Sequence, residues 1–174
     1  MKIPVFLSLP TYLNTKQKTS YDIVRKFLDE QQFEPRTLGR SDYPTELPLK
    51  EVSSLAQHCS GGIILGFTQF QATEGTWKPG IQGKEKKLEK PQDFPSPWNN
   101  LEAGILFGLF LPLLVFKENK ISGGIFDEGT TDAFVHEMPE APLDLANNDA
   151  LRQVFLKWGA QVRSCYYSGL FKKN

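Results

Sequence analysis

The chain has 174 residues, one domain's worth and enough to bury a sizeable core, with 40% apolar and 23% charged residues. That composition argues against disorder, collagen-like structure and coiled coil, and 20 Lys+Arg against 20 Asp+Glu leave no net charge to attract a polyanion. Two Cys exclude a disulfide scaffold and a Cys-rich zinc site, and two His argue against a His-built metal centre, so carboxylates, aromatics and backbone groups have to supply any chemistry.

The N-terminal Met1–Leu7 stretch superficially looks like a signal peptide. Pro4 and Pro10 interrupt it, and no small-residue cleavage site follows. Ile3 to Leu9 reads instead as a strand buried on both faces. Thr15 to Gln32 switches to helical period, with Tyr21, Val24, Phe27 and Leu28 on one face and charges on the other. Phe33 to Leu38 is expected to be a short strand, at an edge because of Pro35. Gly39 to Pro44 reads as a loop. Leu49, Val52, Leu55 and Ala56 mark a second helix that ends near Cys59–Gly62. Ile63-Ile64-Leu65 is a core strand, and Gly66 at its end lets backbone approach a ligand or a turn.

From Phe67 to Pro97 no periodicity is visible, which predicts a long loop insertion at about 67–97 with a solvated charge run, Lys84–Lys90, in its middle. Order returns at Ser96, a natural N-cap, with Pro97 suited to the first helical position. The helix that follows is apolar almost all round and is expected to lie buried between layers. Its apolar run, Ala103 to Phe116, is too short for the roughly 20 residues of a membrane span, so a soluble, cytoplasmic protein with no membrane partner is expected. Leu111 to Phe116 is the next strand, Phe134 to Met138 a last short one, and a helix from about Asp149 to Tyr167 carries the stripe Leu151, Val154, Phe155, Trp158, Val162 and Cys165. Strands alternating with helices predict one α/β domain over 1–174, a parallel sheet covered on both faces.

In such sheets ligands bind at the carboxyl ends of the strands. Three segments fall there: Ser8-Leu9-Pro10-Thr11, Gly66-Phe67-Thr68-Gln69 and Trp98 to Glu102. Glu102 is the one charged residue between Phe94 and Lys117. A carboxylate on so apolar a helix is costly unless it is paired, protonated or used. Trp98 and Glu102, an i, i+4 pair, share a helical face near a helix N-terminus. The plainer alternative is that Glu102 bonds neighbouring backbone.

The same residues resemble two related groups. Ser96-Pro97-Trp98-Asn99-Asn100-Leu101-Glu102 resembles the Ser-x-Trp-Cys-x-x-Glu segment of TIR domains, with Asn99 in place of the Cys, and Arg40-Ser41-Asp42-Tyr43-Pro44 loosely resembles their Arg-Asp-x-x-Pro loop. Val5-Phe6-Leu7-Ser8-Leu9-Pro10 with Gln17, Ile64-Leu65-Gly66, and Leu101-Glu102-Ala103-Gly104 are similar to segments of nucleoside 2-deoxyribosyltransferases. The Asp-x-Gly-Thr that usually precedes the transferase Glu is absent, Asp93 lying well upstream, and the 67–97 insertion belongs to neither pattern.

The resemblance implies a flavodoxin-like three-layer sandwich with a central, mainly parallel sheet of about five strands. It implies N-glycosidic cleavage or transfer on NAD or a related nucleotide or nucleoside, with Glu102 catalytic. One carboxylate can attack the anomeric carbon or stabilise the oxocarbenium-like centre. Ser8, Leu9, Pro10, Gly66 and Asp127 are candidates to line the substrate site. Trp98, Phe67 or Trp77 would stack on the base, worth about 1–3 kcal/mol, and Arg36 or Arg40 would hold phosphates. No metal or cofactor is expected, NAD being a candidate substrate. The partners would be a nucleotide or nucleoside and a second copy of the chain, not nucleic acid. The alternative is a non-catalytic TIR-like module that binds a nucleotide-derived signal or self-assembles. His58-Cys59, His136, Asp132, Trp158 and Tyr166-Tyr167 have simpler structural readings, and Asp127 a turn role beside the lining one.

Overall fold

The unbroken apolar run at the start forms strand β1 (Ile3–Ser8), and its residues are inward on both faces because helices cover both. The computed structural model describes residues 2–39 and 47–171. Helix α1 (Thr15–Glu30) opens with a reciprocal cap: Asn14 Oδ1 accepts from Gln17 N at 2.9 Å, and Gln17 Oε1 accepts from Asn14 N at 3.2 Å. Strand β2 (Phe33–Arg36), helix α2 (Pro48–Gln57) and strand β3 (Gly62–Gly66) follow. Beyond a long excursion come helix α3 (Pro97–Gly108) and strand β8 (Leu113–Lys117), then strand β9 (Val135–Glu137) and helix α4 (Leu145–Phe171).

The five main strands are parallel, in the order β2-β1-β3-β8-β9. This is the flavodoxin-type order, and Pro35 sits on the β2 edge as its missing N–H requires. Alternation along the strands sorts the core. Val5, Leu7, Ile63, Leu65, Leu114 and Phe116 pack with Phe27, Phe155 and Trp158 of α1 and α4. Phe6, Ile64 and Val115 pack on the opposite face with Val52, Ala56, Ala103 and Leu106 of α2 and α3. No helix among the described residues is long and apolar enough to cross a membrane.

Two expectations need correction. The 67–97 segment is not an elementless loop. It folds into an arm of two short antiparallel ladders, β4 (Phe70–Ala72) with β7 (Gln92–Phe94) and β5 (Thr76–Trp77) with β6 (Lys86–Lys87). The arm's root is tied down by buried Asp93, which accepts from Gln71 Nε2 at 2.7 Å, and by Glu118, which accepts from Thr68 N at 2.6 Å. Ladders this short, exposed on most sides, carry no readable period.

Helix α3 is not buried all round either. Asn99, Ala103 and Leu106 face inward, while Leu101, Phe107 and Leu109 are exposed. The helix ends in a Schellman turn, Leu111 N to Leu106 O at 3.1 Å and Phe110 N to Phe107 O at 2.9 Å, with Phe110 at φ 56° where Gly is usual. Phe110 is 92% exposed.

Smaller expectations fall into place. Cys59 is a core residue, and neighbouring His58 turns away, Nδ1 lying 2.7 Å from the Ser54 carbonyl. Trp158 is core and donates from Nε1 to Pro112 O at 3.0 Å. Helix α4 runs further at both ends than its apolar stripe predicts.

Candidate functional site

β1 runs out to β2 on one side, and the chain then crosses back to β3 on the other, so the carboxyl ends of β1 and β3 border the topological switch point. Ser8 closes β1 on the same face as Phe6, directed at α3. Ser96 caps that helix by accepting from Trp98 N at 3.3 Å, and Pro97 presets the first turn. Helical spacing then turns Asn99, Glu102 and Ala103 toward the sheet.

The three polar side chains meet. Asn99 Nδ2 donates to Ser8 Oγ at 2.8 Å and to the Leu65 carbonyl at 3.4 Å. The Ser8 hydroxyl in turn hydrogen-bonds the Glu102 carboxylate. Burial raises the Glu102 pKa from the ordinary 4.5 to about 7, against the pull of the Ser8 hydrogen bond toward the anion. Glu102 borders a cavity of about 340 Å³ and shares it with Leu9, Pro10, Tyr12, Gln69 and Trp98. Trp98 is 43% exposed, so its ring is available to a ligand.

Not all the predicted residues gather there. Ser8 lies behind the cavity, on Glu102. Gly66 is buried, and a Cβ there would collide with the Phe126 ring; it serves packing rather than ligand approach. Phe67 is fully buried in the α1/α4 core, on the far face of the sheet, and cannot stack on a base in this cavity. Trp77 and Asp127 line a different cavity of about 490 Å³, with Phe94, Pro95, Pro97 and Asn100. Arg36, half-buried on β2, does not line the Glu102 cavity. Arg40 lies outside the described residues.

Tyr12, Leu38 and Val52, none of them expected at the site from the sequence, also line the cavity. The signal for Tyr12 is its place just after Pro10, where the chain leaves a strand at the switch point. A further cleft of about 440 Å³ opens at the ends of β8 and β9, against α4. Two of its three carboxylates are engaged: Glu118 holds Thr68 N and Gln17 Nε2, and Glu140 pairs with Lys16 at 2.8 Å. His136 there lies against the Phe116 ring, tilted by 41° to it, and is held below the ordinary 6.5 by burial.

Among the described residues no group of His, Cys, Asp and Glu is placed to hold a metal ion. No protein-family model, curated protein or solved structure matches the chain, so what the site does has to be argued from its own residues.

Proposed function

We propose that this chain breaks, or transfers across, the N-glycosidic bond of NAD or a related nucleotide or nucleoside, with Glu102 acting at the anomeric carbon. The observation that carries the reading is a half-buried carboxyl, poised near pH 7, on a cavity at the switch point of the sheet. The TIR-like and deoxyribosyltransferase-like order of the surrounding residues supports the same chemistry.

In the reaction the bond from C1′ to the base nitrogen lengthens, and its electron pair leaves with the base. Positive charge builds on C1′ and the ring oxygen. A Glu102 carboxylate oxygen then either bonds to C1′, giving an ester that water or a second base displaces, or lies against the cation while water adds. A nicotinamide departs uncharged and takes no proton; a purine or pyrimidine nitrogen acquires, in the net reaction, the proton that the incoming water or base gives up. Both roles of Glu102 need the anion, so base release should rise with pH through about 7. Trp98 and Tyr12 offer aromatic faces to the base.

The test is incubation of the purified protein with NAD and with nucleosides, followed by chromatography for free base. Release that is lost in Glu102→Gln supports the reading, and release that persists unchanged in that variant refutes it. One observation favours the second reading, a module that binds a nucleotide-derived signal or assembles with itself. Phe107 and Phe110 present exposed aromatic surface at the end of α3. Nucleotide binding without base release, by monomer and assembly alike, would select it.

A further inference from the structure

Asn99 is 1% exposed, and its Oδ1 has no hydrogen-bond partner among the described residues. A buried acceptor left unmade is costly, and turning the amide over would move the vacancy rather than remove it. The Leu65 carbonyl, 3.4 Å from Nδ2, can only accept. A flipped amide would set oxygen against oxygen there. The Leu65 carbonyl therefore dictates which end of the amide faces the sheet. Nδ2 spends its second proton on Ser8 Oγ at 2.8 Å. With the Ser8 oxygen accepting from Asn99, its single proton is left to donate, and Glu102 is the acceptor beside it.

We infer that Asn99 and Ser8 are positioning residues for Glu102: the Leu65 carbonyl orients the amide, the amide orients the hydroxyl, and the hydroxyl holds the carboxylate at the cavity wall. Asn99 stands where the TIR-like segment has a Cys, which could not set this sense of donation so firmly. The bearing on catalysis rests on the function proposed above; the arrangement itself can be tested without it. Burial and Ser8 are the influences acting on Glu102, and Tyr12 is the one other titratable side chain among the described residues lining the cavity.

The experiment follows the Glu102 carboxyl carbon by NMR through a pH titration, in wild type, Ser8→Ala, Ser8→Cys and Asn99→Ala, with thermal melts to confirm folding. Loss of the Ser8 donor should raise the proton affinity of Glu102 about tenfold, or about 1.4 kcal/mol, with a smaller rise in Asn99→Ala and partial restoration in Ser8→Cys. A residue pair that merely knits α3 to the sheet would lower the melting temperature and leave the titration where it is. An unmoved midpoint in folded Ser8→Ala overturns the inference, and that variant decides alone if Asn99→Ala does not fold. Because the titration is read without turnover, a wild type that releases no base would refute the proposed function and leave this result standing.

Discussion

Replacing Glu102 by Gln keeps the side chain's shape and removes its charge, which makes the cost of that charge measurable. The folded protein holds the Glu102 proton up to about pH 7, whereas the unfolded chain releases it near the ordinary 4.5. Between those values the folded state binds more protons, so wild-type stability falls as pH rises and levels off above about 7. At about 1.4 kcal/mol for each tenfold in proton affinity, the full loss is roughly 3 kcal/mol. Gln has no proton to lose. Glu102→Gln should therefore match wild type near pH 4 and exceed it progressively, by roughly 3 kcal/mol at pH 8, or about 6–12 °C in melting temperature for a chain of this size. Urea melts of both proteins across pH 4 to 8 supply the comparison. Other titrating groups are common to both and cancel in the difference. A difference that stays constant with pH, or that turns in favour of wild type as pH rises, would refute the reasoning.

Trp98→Ala should leave stability within about 0.5 kcal/mol yet weaken the binding of a free nucleobase by about 1–3 kcal/mol, read by calorimetry. Trp77→Ala, in the separate cavity with Asp127, should leave base release unchanged. Gly66→Ala drives a methyl into the Phe126 ring and should cost about 1–3 kcal/mol in a urea melt. Burial holds His136 below 6.5, so the stability it contributes is present above that pH and is lost as pH falls through its folded value; His136→Gln should flatten that part of the acid limb.

Much of this was legible because it follows from period and punctuation. The unbroken Ile3–Leu9 run announced a strand covered on both sides, Pro35 placed its neighbour at an edge, and Ser96-Pro97 marked where α3 begins. Apolar content misled on α3, since apolar residues all round a helix do not tell which of them find a partner; Leu101 and Phe107 did not. The arm escaped because ladders of two or three residue pairs leave no repeat to detect. Trp77 and Asp127 are brought together by that arm, and a segment with no readable elements gives no means of placing its aromatics.

Phe67 is different, for the rule that places it was available. Side chains along an extended strand alternate, so Ile63 and Leu65 share one face of β3 and Ile64 and Gly66 the other, and Phe67, just past the strand's end, packs on the face of Ile63 and Leu65. The same parity sends Ser8 with Phe6 toward α3, and the α1/α4 core accordingly holds Leu65 and Phe67 while Ile64 meets α3. Parity thus excludes Phe67 from the Glu102 cavity and places Ser8 behind it, on Glu102. What parity cannot supply is the Leu65 carbonyl, a backbone group that any sequence would present. Asn99 meets it only because α3 crosses the ends of β1 and β3. The polar triplet is therefore a product of topology acting on three residue choices. Asn99 carries an unmet acceptor and Glu102 a charge that weakens the fold above neutral pH, and both unfavourable features bear on the same carboxylate. Destabilisation concentrated on one group in this way is what a site retained for its chemistry would show.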